Sequence, residues 1–250
     1  LGCTRDPSRH PTKGTMWANV GSQQFHLAEE SEDDPPQAVR GSIGVVLPDL
    51  EKVHHRLAEL SLEIDRVSVQ KHEEGRLTVT CPWGNVFHCY DENFATDYEG
   101  GEVKNKSVPK MVAMHEDTGK SLKVRGGPGI RYLHVRCEDA DEVASQYRDL
   151  VGASVYSSPD KTEHPVAVSK MDGFHLCIYV NDFSSYYERL KDFVFTNPRF
   201  RHLDTCDTLE EALASRTFRF AFPKAPTLEH ETRSLTHRNF LKPLLFNNAK

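Results

Sequence analysis

The stretch HLCIYVNDFSSYYERL, residues 175–190, changes its period halfway along. Up to Val180 it alternates, so that His175, Cys177 and Tyr179 share one face of an extended strand and Leu176, Ile178 and Val180 share the other. A Tyr-rich amphipathic helix follows at once, with Asp182 in the capping place. Two other stretches have the same plan. SIGVVLPDLEKVHHRLAEL (42–60) runs from a β-branched segment through a Pro-Asp break into Leu50, Val53, Leu57 and Leu60 at helical spacing. YLHVRCEDADEVASQYRDLVGASV (132–155) offers Asp139 or Asp141 as the cap of a helix that Gly152 ends. Three copies of strand, acidic cap and helix imply an internally duplicated architecture.

Strand pairs with turn signals fill the intervals. TMWANVGSQQFHLAEE folds back at Gly21-Ser22, RLTVTCPWGNVFHCYDEN at Trp83-Gly84-Asn85, and VAVSKMDGFHLCIYV at Asp172-Gly173. Trp83 reads as a hairpin packing residue, and His54 and His55 as solvent-facing helix residues. EESEDDPP (29–36) is a solvated linker, and the Gly-, Lys- and Asp-rich stretch from about 93 to 128 is a longer linker or loop. RGGPG (125–129) lacks the flanking strand and helix of a phosphate loop and reads as part of that linker. In the tail, Phe240, Leu244 and Leu245 are expected to pack on the last sheet.

Whole-chain numbers restrict the function. At 250 residues the chain can bury a substantial core. No apolar run approaches the roughly 20 residues that span a bilayer. A net charge of -6 with dispersed Lys and Arg provides no basic stripe for nucleic acid. The six cysteines, at 3, 81, 89, 137, 177 and 206, form no zinc or redox spacing, so a reduced intracellular compartment is expected, with most of them acting as small buried hydrophobes. The chain opens on Leu rather than Met, and LGCTRDPS reads like a helix end entering a strand. Any targeting segment would lie upstream, which leaves a cytoplasmic or an organellar location (a plastid, for example) open for a soluble protein.

These units, together with GSQQFHL, TCPWGNVFHCYDEN, HLCIYVNDF and LEHETRS, resemble the vicinal oxygen chelate superfamily, which includes glyoxalase I, bleomycin resistance proteins and extradiol dioxygenases. The nearest resemblance is to long, multi-module glyoxalase-like proteins. It implies an α+β fold of repeated βαβββ modules pairing into two curved mixed β-sheet half-barrels with helices outside. An N-terminal module pair would occupy 1–95, its first module truncated at the start, followed by a linker over 96–127 and a C-terminal pair over 128–250.

In the superfamily, a metal is held by side chains at the head of a module's first strand and the middle of its last. Residue by residue, the resemblance puts His134 and His175 at first-strand positions and Glu229, with Glu231 as the fallback, on the final strand. Two imidazoles and a carboxylate suit iron, manganese, zinc or nickel and leave room for a substrate with vicinal oxygens and for dioxygen. That is the pattern of a dioxygenase, lyase or isomerase. Tyr179 and Arg233 share those faces as pocket-lining candidates. In the N-terminal pair, Ser42 stands where a ligand histidine would, and His26 and His88 fall where glutamate is usual, so this cavity reads as degenerate and the two histidines as pocket-lining or structural. The residues also admit a plainer reading: strand-end histidines that are hydrogen-bonded, and a charge ladder of Glu229, Glu231 and Arg233. The alternative function is thus a metal-free small-molecule-binding protein, or an accessory subunit of a larger assembly, on the same fold, as a monomer or a homodimer.

Overall fold

The structure is a computed structural model and describes residues 1–5, 15–20, 23–28, 39, 41–73, 75–91, 112–114, 121–123, 129–135, 139–153, 155, 175–224 and 229–234. They form a mixed α+β protein with several sheets and few helices; among the described residues no sheet closes into a barrel. They fall into two compact units, within Leu1–Arg136 and within Cys137–Leu241. Among the described residues no helix is long and apolar enough to cross a membrane. The turn at Asp172-Gly173 and the expected tail contacts lie outside the described residues.

The first unit opens with β1 (Thr4–Arg5), β2 (Thr15–Val20) and β3 (Gln23–Ala28), a three-stranded antiparallel sheet in that order. Val20 pairs with Gln23, the register that a two-residue connection at 21–22 requires. Next come β4 (Gly41–Leu47), α1 (Leu50–Glu63), β5 (Ser68–Lys71), β6 (Leu77–Thr80) and β7 (Val86–Asp91). After β8 (Val112–Met114) and β9 (Ser121–Lys123), which pair antiparallel within the stretch read as a linker, β10 (Gly129–Val135) joins the larger sheet. That sheet has the order β10-β4-β7-β6-β5, with β4 parallel to β7 and the other neighbours antiparallel.

Helix α1 begins where the Pro-Asp break puts it: the Asp49 side chain accepts from Lys52 N at 2.9 Å, satisfying one of the amide donors that a helix start leaves unpaired. It buries Leu50 and Leu57 and packs on β5 and β7. Val45, Cys89 and Leu77 lie side by side in register across β4, β7 and β6, fully buried. The next row, one residue along, belongs to the opposite face and is polar: Tyr132, Gly44, His88 and Thr78. Gly44 is needed there because a Cβ at that position would lie 2.2 Å from the Tyr132 ring. The missing side chain lets Tyr132 cross β4 and bring its hydroxyl 2.8 Å from His88 Nδ1 and 2.9 Å from the Tyr90 hydroxyl.

Trp83 does not pack within its hairpin as expected; it is 63% exposed. Gly84 N donates to Cys81 O at 2.9 Å and Cys81 N to Asn85 O at 3.0 Å, with Gly84 at φ 91°. Backbone bonds and one left-handed glycine close the turn, so it needs no buried ring.

The second unit begins with α2 (Ala140–Gln146), capped by Asp139, which continues as a π-helical turn (Tyr147–Val151) and stops at Gly152, φ 72°. Then come β11 (His175–Val180), α3 (Phe183–Leu190), α4 (Leu209–Ser215), β12 (Thr217–Phe220) and β13 (Glu229–Ser234). Asp182 caps α3, accepting from Ser185 N at 3.3 Å, and Thr208 with Glu211 forms a capping box on α4. The sheet order is β11-β13-β12, with β11 parallel and β12 antiparallel to β13. Val194 bridges Phe220, so the chain leaving α3 lies along the outer side of β12. Phe218, Phe220, Phe222, Leu190 and Ala212 are fully buried, with Phe183 and Tyr187 of α3 edge-on to Phe218.

The Gly44 arrangement gives a testable expectation. Gly44→Ala should displace the Tyr132 ring and cost about 1–3 kcal/mol in chemical denaturation, the range of an overpacked contact. In a Tyr132→Ala background the same substitution should cost far less; equal costs in both backgrounds would contradict the crossing-ring account.

Candidate functional site

The polar face of the second sheet follows from register. In the ladder His175 pairs with Glu229, Cys177 with Glu231 and Tyr179 with Arg233, while Arg219 of β12 faces Glu231 and Thr217 faces Arg233. Period-two alternation sends the residues between them, Ile178, Val180, His230, Thr232, Phe218 and Phe220, to the core side. On that side His230 is fully buried, stacks on Phe220 at 4.4 Å, and has its Nε2 2.5 Å from the Tyr147 hydroxyl. The π-helical turn delivers Tyr147, so β13 is anchored from behind while its alternate residues form the site.

Glu231 lies at the centre of the face and is 2% exposed. Its Oε1 accepts from Arg233 Nε at 2.8 Å and Nη2 at 2.5 Å, and from Arg219 Nη2 at 3.4 Å. Its Oε2 stands 3.3 Å from His175 Nε2. Burial alone would raise the Glu231 carboxyl. The His175 hydrogen bond and the Arg233 and Arg219 charges outweigh burial and bring it down to about 2. The same attraction raises both guanidinium groups against their own burial.

Arg219 is 4% exposed and serves three acids. Nη1 donates to Glu229 Oε1 at 3.2 Å, Nη2 to Glu231, and Nε and Nη2 to the two Asp204 oxygens at 3.4 Å each. The Phe200 ring lies over the guanidinium at 4.4 Å. Asn197 Nδ2 holds the other Glu229 oxygen at 2.7 Å. Asp204, Phe200 and Asn197 come from the segment between α3 and α4, which leans over this end of the face.

Of the residues expected at a site, His175, Glu229, Glu231, Tyr179 and Arg233 share this one face. The acid beside His175 is Glu231, the fallback, while Glu229 is held by Arg219 and Asn197. His134 belongs to the first unit, exposed on β10 opposite Ser42. His26 stacks on Trp17 at 4.0 Å, and His88 Nδ1 lies 2.8 Å from the Tyr132 hydroxyl. Cys177 lies on the polar face and is exposed by its surface, while desolvation by the side chains around it there, and then the Glu231 charge, push its thiol up to about 12.

A metal fits these donors poorly. Both Glu231 oxygens and both Glu229 oxygens already have protein partners, and a divalent ion here would lie against two guanidinium groups. Among the described residues, no three His, Cys, Asp or Glu side chains are gathered as metal ligands would be. What the face can do is present the Arg233 guanidinium, with His175 and Tyr179 beside it, at a partly open surface.

Sequence reasoning missed Arg219, Asp204 and Asn197. For Arg219 a signal existed: in TFRF, two core phenylalanines flank it, so alternation alone turns it to the His175 side. Asp204 and Asn197 lie in an irregular segment where no periodicity assigns a face.

No family model and no curated protein matches the sequence.

Glu231 makes acid stability a readout. Its carboxyl drops from an ordinary 4.5 to about 2, so its contribution is full above pH 4.5 and lost as pH falls toward 2. That contribution is on the order of 3 kcal/mol. Urea denaturation should show this acid-sensitive stability in the wild type. Glu231→Gln should lack it and be less stable at pH 7 by a comparable amount; an unchanged pH profile in the variant would refute the assignment.

Proposed function

We propose that this chain is a glyoxalase-like protein of repeated βαβββ modules that binds a small molecule with vicinal oxygens on the polar face of its second unit, without a metal. The module reading draws support from the winding of the five-stranded sheet and of the second unit's sheet. In each, the strand that leads into a helix runs parallel to a later strand, and an antiparallel strand lies beyond. The observation that carries the binding reading is the buried Glu231, engaged at once by His175, Arg219 and Arg233. A carboxylate so neutralised is a rigid anchor for donors and a poor metal ligand.

A ligand's adjacent oxygens would accept from Arg233, whose planar guanidinium offers paired N–H groups, with His175 and Tyr179 completing the set. A sheet face whose polar side chains are fixed by ion pairs and backed by an aromatic core is preorganised for such a ligand.

The test is metal analysis of the purified full chain together with thermal shifts against α-hydroxy acids, 2-oxo acids and catechols. The expected result is metal well below one equivalent and stabilisation by at least one of these classes. Arg233→Gln combined with Tyr179→Phe should weaken that binding about tenfold or more, the loss of one to two hydrogen bonds. Stoichiometric metal that disappears in His175→Ala would replace this reading with that of a metal-dependent dioxygenase, lyase or isomerase. No response to any class would remove the vicinal-oxygen reading.

A further inference from the structure

In the second unit three carboxylates converge on one guanidinium. Asp204 meets Arg219 through both oxygens at 3.4 Å, Glu229 at 3.2 Å and Glu231 at 3.4 Å. Phe200 covers the guanidinium plane, and His175 adds an imidazole on the far side of Glu231. Acids brought this close repel one another unless a cation stands among them, and carboxylate oxygens are donors that suit a hard divalent cation such as manganese. The cation here arrives on a side chain. Alternation along β12 sends Arg219 to this face between two core phenylalanines, so the strand that builds the core also supplies the charge.

We infer that Arg219 is the resident cation of this cage, taking as a covalently tethered guanidinium the place a divalent metal would otherwise fill, and that it keeps the site metal-free. The inference rests on the metal-free reading above and adds a cause to it. Arg233 cannot replace Arg219, because both of its recorded bonds go to Glu231. Without Arg219, Asp204 loses both of these bonds and Glu229 keeps Asn197. Metal–oxygen bonds of about 2.0–2.6 Å are shorter than these contacts, which end on three different nitrogens of one guanidinium, so the acids would have to close in by more than an ångström to meet at one metal centre.

The experiment is thermal unfolding of the full-length chain in EDTA and with added Mn2+ or Zn2+, for the wild type, Arg219→Ala, Arg219→Gln and Arg219→Ala with Glu229→Gln. The wild type should not respond to metal. Arg219→Ala should unfold at lower temperature in EDTA and be restored by metal, with an apparent affinity at least about tenfold tighter than the wild type's. Arg219→Gln, which removes the charge and keeps a hydrogen-bonding side chain, should respond in the same direction, and the added Glu229→Gln should abolish the response. Lack of metal-dependent stabilisation or rescue of folding in both single variants, or an equal response in the wild type, overturns the inference. Stoichiometric metal in the wild type as purified overturns the metal-free reading itself, a result the EDTA comparison separates from the other two.

Discussion

The buried contact between Glu231 and the guanidinium groups of Arg219 and Arg233 is the constraint on which the second unit depends. A carboxylate that is 2% exposed has lost its water, and recovering that cost takes several well-aligned partners. Glu231 has them because three strands bring alternate residues to one face: His175 from β11, Arg233 from its own β13 and Arg219 from β12. A register slip of one residue on any strand would turn the partners into the aromatic core and the phenylalanines out to the polar side. The network therefore specifies the register as much as it stabilises it, and the Tyr147–His230 bond holds the same strand from the core side.

The first unit solves the corresponding problem differently. Its polar face carries Tyr132, His88, Tyr90 and Thr78, joined through hydroxyls and an imidazole, with His72 Nε2 2.9 Å from the Thr78 hydroxyl. One glycine suffices to let a tyrosine ring span a strand and bring its hydroxyl to His88 and Tyr90. Two polar sheet faces in one chain thus differ in kind. The one in the first unit is joined through hydroxyls and imidazoles; the one in the second is a cage of carboxylates and guanidinium groups.

Much of this was legible beforehand because it depends on local periodicity. The caps Asp49, Asp139 and Asp182 and the stop at Gly152 follow from helix-end chemistry within a few residues. That His175 and Tyr179 share one strand face, and Glu229, Glu231 and Arg233 another, follows from a period of two, while the pairing of β11 with β13 that joins the two faces does not. Partner choice within a face is not periodic. That His175 stands beside Glu231 rather than Glu229 depends on Arg219 and Asn197 holding Glu229, and Asn197 belongs to an irregular segment. Trp83 was misplaced because burial is decided by what covers a position, and turn chemistry does not say what lies above a turn.

A double-mutant cycle across Arg219 and Glu231 measures the central claim most directly, using Arg219→Met, Glu231→Leu and the pair, with stability at pH 7 from urea denaturation. Each single change removes one partner from a buried ion and should cost about 3–5 kcal/mol, while the pair should cost far less than the sum, a coupling of about 2–3 kcal/mol or more. Additive losses would contradict the account, because they would mean that the two charges stabilise the fold independently.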